Sequence, residues 1–234
     1  MQDLSLQNIL FIDIETVPLY STYDEMPEAL KFLWDKKCNS FREPKDPVEN
    51  YPRAGIYAEF GKIICIGCGY FDEMNNLRLL SFHGHDERTI LKQFAEFAGK
   101  NFSRPKHYLC AHNGKEFDFP FLCRRYLVNG LSLPSILNLS GKKPWEVPHL
   151  DTLELWKFGD YKAYTSLSLL AAIFGISSPK EDMDGSMVWK VYWEENDLLR
   201  IVKYCLKDVE CLIEVFLRIS SSTIAETMSV MILG

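Results

Sequence analysis

Apolar and polar positions along this 234-residue chain switch between two periods. An apolar run at 8–13 opens the chain and predicts a strand. Two more β-rich runs, 63–70 and 77–82, flank the polar stretch Asp72-Glu73-Met74-Asn75-Asn76 and predict a hairpin. Ile90, Leu91, Phe94 and Phe97 fall at helical spacing and predict a helix over 86–97. A short strand at 108–111 then leads through His112-Asn113-Gly114 into a helix from about 116 to 128. A further short strand is expected around Leu150, and helices over 165–174 (closed by Gly175), 187–194 and 197–219. Between the first two strands, residues 18–60 break the rhythm. Pro18, Pro27, Pro44, Pro47 and Pro52 punctuate them around one helix at 27–37. The segment is too long for a hairpin and reads as an insertion draped over a face or edge. Strand, hairpin, then alternating helices and strands imply an α/β domain over 1–234, a mixed sheet flanked by helices, with a tail at 220–234.

Composition narrows this further. Hydrophobic residues make up 47% of the chain, enough for a sizeable core, and charged residues 25%. The 26 basic residues against 32 acidic give −6, which argues against a protein that coats nucleic acid through a broad basic surface. It does not exclude an enzyme whose acids hold metal ions. The seven cysteines sit among apolar neighbours and read as reduced core thiols. The start, Met1-Gln2-Asp3-Leu4, lacks a basic, apolar leader, and no run is long enough to span a bilayer, so a cytoplasmic location is expected.

Asp13 and Glu15 interrupt the first strand at a spacing of two. Period two sends both carboxylates to one face. Two half-buried like charges repel, so a cation between them is called for; a solvated acidic strand end is the bland alternative. Two other pieces accompany them. In Asn113-Gly114-Lys115-Glu116-Phe117-Asp118, a strand ends and a helix begins. Asp118 is in that helix's first turn, where an acid is favoured anyway, and Asn113 also suits a plain turn. In Tyr204-Cys205-Leu206-Lys207-Asp208, spacing four stacks phenol and carboxylate on one helical face.

Together these three pieces resemble the motifs of the DEDD 3′–5′ exonuclease superfamily, proofreading-type enzymes with a ribonuclease-H-like fold. Phe11-Ile12-Asp13-Ile14-Glu15-Thr16 resembles the first, Asn113 through Phe117-Asp118 the second, and Tyr204 with Asp208 the third in its tyrosine form, as in family B DNA polymerases. Lys203 stands where the other subfamily carries its His, so only the tyrosine form fits. The resemblance covers about 8–218. It implies a ribonuclease-H-like sheet and 3′–5′ hydrolysis of nucleic acid. Asp13, Glu15 and Asp208 would hold one Mg²⁺ or Mn²⁺, and Asp13 with Asp118 a second. Tyr204 would orient the attacking water, and backbone near Thr16 would meet the 3′-hydroxyl. Asn113 and Phe117 would support the substrate or the second motif. Among other candidates, His112 suits substrate contact, and Lys115, Arg124 and Lys207 suit phosphates.

The expected partner is nucleic acid with a free 3′ end, single-stranded DNA first. A second copy of the chain or repair and replication proteins are further candidates, and a membrane is not expected. An exoribonuclease, a ribonuclease-H-like endonuclease and a non-catalytic binding module remain competing readings. Several features carry less. Cys65 and Cys68, at odd spacing on a strand, point to opposite faces and read as packing. Gly55 with Gly61-Lys62 mimics a phosphate loop, but Ile63 stands where Ser or Thr is needed. His83 and His85 lack a third soft ligand nearby. Asp151 suits either support of the acid cluster or a helix N-cap. Aromatic residues in 18–60 either anchor that segment or stack on bases.

Overall fold

A computed structural model describes residues 4–160, 164–176 and 183–220 of the chain. Its centre is β1 (Ile9–Pro18), the third strand of a five-stranded sheet in the order β3-β2-β1-β4-β5. β2 (Gly61–Phe71) and β3 (Leu77–His83) run antiparallel in that series, while β4 (Tyr108–Ala111) and β5 (Leu150–Asp151) run parallel to β1 and to each other. Helices cover both faces, which is why β1 is apolar on both sides. Leu10, Ile12 and Ile14 join one core with residues of α2 (Glu87–Asn101) and α3 (Asp118–Val128). Ile9 and Phe11 join another with α7 (Leu198–Ile219). This is the ribonuclease-H-like arrangement that the resemblance implies.

β1 runs well past its expected end at 13. The register shifts between Glu15 and Thr16, after which Thr16, Val17 and Pro18 resume pairing with Ile63, Lys62 and Gly61. Bulges of this kind bend a strand and re-aim its side chains next to functional sites.

The long segment after β1 holds α1 (Glu28–Asn39) and a 3₁₀ segment at Tyr51–Ile56. It has its own small core of Met26, Trp34, Cys38, Tyr51, Ala54 and Phe60, pinned by the Trp34 indole donating to the Pro47 carbonyl at 2.8 Å. So Trp34, Tyr51 and Phe60 are anchors. Gly55 and Gly61 explain themselves by close approach. A Cβ on Gly61 would lie 2.6 Å from the Gly55 carbonyl oxygen, and one on Gly55 would lie 3.0 Å from Val17 backbone. They dock the segment on the end of β1 and form no phosphate loop.

On the α2–α3 side, Glu87 and Arg125 form a buried ion pair. Glu87 Oε1 accepts from Arg125 Nε at 2.8 Å and from the Ile63 amide at 2.7 Å, and its Oε2 accepts from Arg125 Nη2 at 2.6 Å. Arg125 Nη1 donates to the Ala58 carbonyl at 2.8 Å, tying α3 to the chain just before β2.

α4 (Thr152–Lys157), α5 (Leu167–Phe174) and α6 (Val188–Trp193) complete the structure. The expected tail beyond residue 220 lies outside the described residues. Among the described residues no helix is long and apolar enough to cross a membrane.

Candidate active site

Two glycines allow α7 to reach the acids of β1. Across the β1–β2 ladder, Phe11 faces Gly69, Asp13 faces Gly67 and Glu15 faces Cys65. A Cβ on Gly67 would lie 2.8 Å from Cys205 Sγ, and one on Gly69 would lie 2.7 Å from Ile213 Cδ1. α7 therefore packs on a strip of bare backbone, with Cys205, Val209, Leu212, Ile213 and Phe216 facing the sheet. Tyr204 and Asp208, one helical turn apart, then lie beside Asp13 and Glu15 on the same cleft. Asp197 caps the start of α7 by accepting from the Arg200 amide at 3.0 Å.

Asp118 arrives from the other side of β1. β4 ends at Ala111, so it leaves the β1 edge beyond Phe11 without a partner strand. The Ile14 amide, between the two acids, donates instead to Asp118 Oδ1 at 3.2 Å. The turn that presents Asp118 is fixed by Asp151. Its carboxylate accepts from the Asn113 amide at 2.9 Å, the Lys115 amide at 3.0 Å and the Leu153 amide at 3.0 Å. Asp151 is thus both an N-cap of α4 and a brace for the second motif.

The electrostatics follow from this crowding. Burial first, then the charges of Asp118 and Asp208, hold the Asp13 carboxyl well above the usual range. Burial and then Asp13 and Asp208 do the same to Glu15, which is only 6% exposed. Asp118 is pushed up to about 7, chiefly by burial and then by the Asp151 charge, against the opposing pull of the Ile14 amide. Burial, Asp208 and Glu15 raise the Tyr204 phenol, which is hydrogen-bonded to Asp208 and stays protonated. No basic side chain is among the main influences on Asp13, Glu15 or Asp118. Lone acids of this kind are neutral or hold a cation.

Cys205 is the neighbour that sequence reading missed. Ligand atoms of Asp13, Glu15 and Cys205 all lie within 4.8 Å of one another. Its thiol donates to Asp13 Oδ2 at 3.4 Å and to the Asp13 carbonyl at 3.5 Å, and burial raises its pKa well above normal. Without a metal it keeps its proton and contacts Asp13. The two carboxylates and this thiol together could hold one metal ion, and the carboxylate oxygens suit a hard divalent cation.

The cleft over these residues measures about 680 Å³. Thr16 and Phe117 line it. The rest of its wall comes from Pro52, Arg53 and Ile56 of the segment after β1, and from Ser186 and Trp189 at the start of α6. Two expected substrate contacts, His112 and Lys115, are engaged by other partners, and Asn113 shapes the turn of the second motif, one of its two expected roles. His112 is held by both ring nitrogens, Nδ1 to Thr152 Oγ1 and Nε2 to the Thr165 carbonyl, each at 2.9 Å. Lys115 pairs with Glu154 at 2.6 Å and, with Arg124, lines a separate groove. Asn113 has φ 61, a left-handed turn conformation that asparagine tolerates, so its role is to make the turn.

A family described as a predicted 3′–5′ exonuclease related to the exonuclease domain of PolB matches residues 56–228. The chain belongs to this family. The match includes Asp118, Tyr204 and Asp208, and the geometry above brings in Asp13 and Glu15 from β1, which precedes it. Membership makes this a metal-dependent 3′–5′ exonuclease domain of the DEDD superfamily, acting on nucleic acid.

Among solved structures, the family B DNA polymerase from the hyperthermophilic archaeon Pyrobaculum calidifontis is similar at TM-score 0.52 and 17% identity, over 89% of this chain and 24% of the polymerase. That likeness supports the fold. E. coli exonuclease I in complex with a dT13 oligonucleotide is 13% identical with TM-score 0.41, over 84% of this chain and 41% of that one. The exonuclease domain thus spans less than half the length of either protein.

Proposed function

We propose that this domain removes nucleotides one at a time from the 3′ end of single-stranded DNA. The observation that carries the reading is the meeting of Asp13, Glu15 and Asp208 on one cleft, with Asp118 buried beside Asp13, where burial and mutual repulsion raise Asp13 and Glu15. Asp13, Glu15 and Asp208 would hold one Mg²⁺ or Mn²⁺, and Asp13 together with Asp118 a second. Such ions supply charge for the non-bridging and departing oxygens and make water a better nucleophile at neutral pH.

The chain's own residues do the rest. Tyr204, kept neutral by burial and by Asp208, would serve as a hydrogen-bond donor that positions the attacking water, and a neutral phenol is a poor general base. Thr16 and Phe117, both lining the cleft, would hold the terminal sugar and base. Asp151 keeps Asp118 in place through the 113–115 turn. Seven free thiols suit a reducing, cytoplasmic setting.

The test uses 5′-labelled single- and double-stranded DNA and RNA with Mg²⁺ or Mn²⁺. A ladder shortening by one nucleotide from the 3′ end, fastest on single-stranded DNA, is expected. Asp13→Ala and Asp208→Ala should lower the rate about a thousandfold, equivalent to ~4 kcal/mol of barrier. Internal fragments, or a rate that survives Asp13→Ala, would sink the proposal. Preference for RNA ends would correct only the substrate.

A further inference from the structure

The segment after β1 carries a second groove, of about 380 Å³, that continues the catalytic cleft. Arg53 lines both. Beyond it the walls are Phe41, Arg42, Lys45 and Tyr57, with Asn50 and one acid, Glu43. The Phe41 and Tyr57 rings are stacked at 23° with centroids 6.4 Å apart, and Lys37 Nζ sits 3.9 Å above Tyr57. Among the described residues, neither the Arg42 nor the Arg53 guanidinium has a carboxylate partner. Lys45 has only a loose surface contact with Glu43, at 3.8 Å.

This is an unusual patch on a chain of net charge −6. Trp34 and Tyr51 are interior anchors of the segment, and Phe41 and Tyr57 pack at the rim of the same core, half-buried, where they line the groove beside the two arginines. Cations that track phosphates, interleaved with rings that accept a base face, are what single-strand grooves are made of. A negatively charged protein can hold a polyanion only where the local field is positive.

We infer that this groove binds the part of the single strand upstream of the 3′ nucleotide, with Arg53, Arg42 and Lys45 on phosphates and Phe41 beneath a base. The inference rests on reading the adjoining cleft as the exonuclease site. On this reading the long segment after β1 lengthens the footprint on the strand without touching the acids.

The full chain is tested by fluorescence anisotropy with labelled oligo-dT of about four and about twelve nucleotides, the range over which single-strand grooves differ, in Ca²⁺ so that binding is read without turnover. The variant is Arg42→Ala with Lys45→Ala, both exposed side chains outside the cleft. Affinity for the longer strand should fall about tenfold, and the slope of log K against log salt should become shallower by about 1.4, two contacts at roughly 0.7 each. Affinity for the short strand should not change, nor its rate of hydrolysis in Mg²⁺. Unchanged affinity for the longer strand, or equal losses for both lengths, overturns the inference. If the wild-type chain hydrolyses nothing while the length-dependent loss persists, the exonuclease proposal fails and the groove assignment stands.

Discussion

Two buried groups of acids lie on opposite faces of the same sheet, and they are treated in opposite ways. On the α2–α3 face, Glu87 has Arg125, the Ile63 amide and Asn129 Nδ2 at 2.8 Å, so both oxygens are satisfied. On the α7 face, Asp13 and Glu15 are met by Asp208, Asp118 and a thiol. A buried charge needs a partner, and the fold supplies one wherever the acid has only a structural role. Asp13 and Glu15 have no such partner among the described residues, and a cation from outside the chain would supply it. The contrast supports the reading of the acid cluster as a site.

If that contrast is right, removing one charge should act with opposite sign on the two faces. Arg125→Met strands Glu87 in the core and should cost about 3–5 kcal/mol, read by urea unfolding, with the surviving folded fraction still active. His149 sharpens the comparison as a third case, an ionisable group kept neutral. Burial depresses its pKa from 6.5 to about 4, while Nδ1 accepts from the Leu109 amide at 3.2 Å and Nε2 donates to the Ile136 carbonyl at 2.9 Å. Only the unfolded chain then takes a proton between those values. Its contribution is therefore fully present above pH 6.5 and drains away as pH falls toward 4, by about 3 kcal/mol. His149→Gln should flatten that part of the stability–pH curve, and identical slopes for the two proteins would refute the assignment.

The smaller terms concern the α7 face. Mn²⁺ at a hundred times its dissociation constant should stabilise the protein by about 2.7 kcal/mol in thermal unfolding, and Glu87 variants that still fold should show the same gain. Asp13→Asn should abolish the gain. Without metal, the same change should raise stability by about 1 kcal/mol, because it removes repulsion. An Asp13→Asn protein that is less stable than wild type in chelator would break the comparison.

What the sequence discloses and what it hides divide along physical lines. Asp13 with Glu15, and Tyr204 with Asp208, are legible because strand and helix periods are local and fix which side chains share a face. Asp118 is legible through its short motif, although the partner that holds it, the Ile14 amide, is 104 residues away. The cleft wall is different. Arg53 and Trp189 carry no pattern that announces them, since their approach to β1 depends on how distant segments dock. His112 misleads for the same reason: it stands next to the second motif, but Thr152 and Thr165 claim both its nitrogens from 40 and 53 residues away. The extension of β1 to Pro18 is hidden in a register shift that periodicity cannot show.

Gly67 offers the finest test of how the two faces differ, because it touches no charge at all. Opposite Asp13, it leaves room for Cys205, and an added methyl would meet Cys205 Sγ at 2.8 Å, Val209 Cγ2 at 3.1 Å and the Cys205 carbonyl at 3.3 Å. The thiol can turn aside, but the carbonyl belongs to the helix and cannot move alone. Gly67→Ala should therefore lift α7 slightly, at about 1–2 kcal/mol of stability. The same displacement carries Tyr204 and Asp208 away from Asp13 and Glu15, so activity should fall by more than the lost stability explains, with weaker Mn²⁺ stabilisation. A Cys205→Ala change in the same protein removes the nearest obstacle and should restore part of both. If Gly67→Ala lowers stability while leaving metal binding and turnover intact, then close helix approach is a packing matter only, and the position of Asp208 does not depend on it.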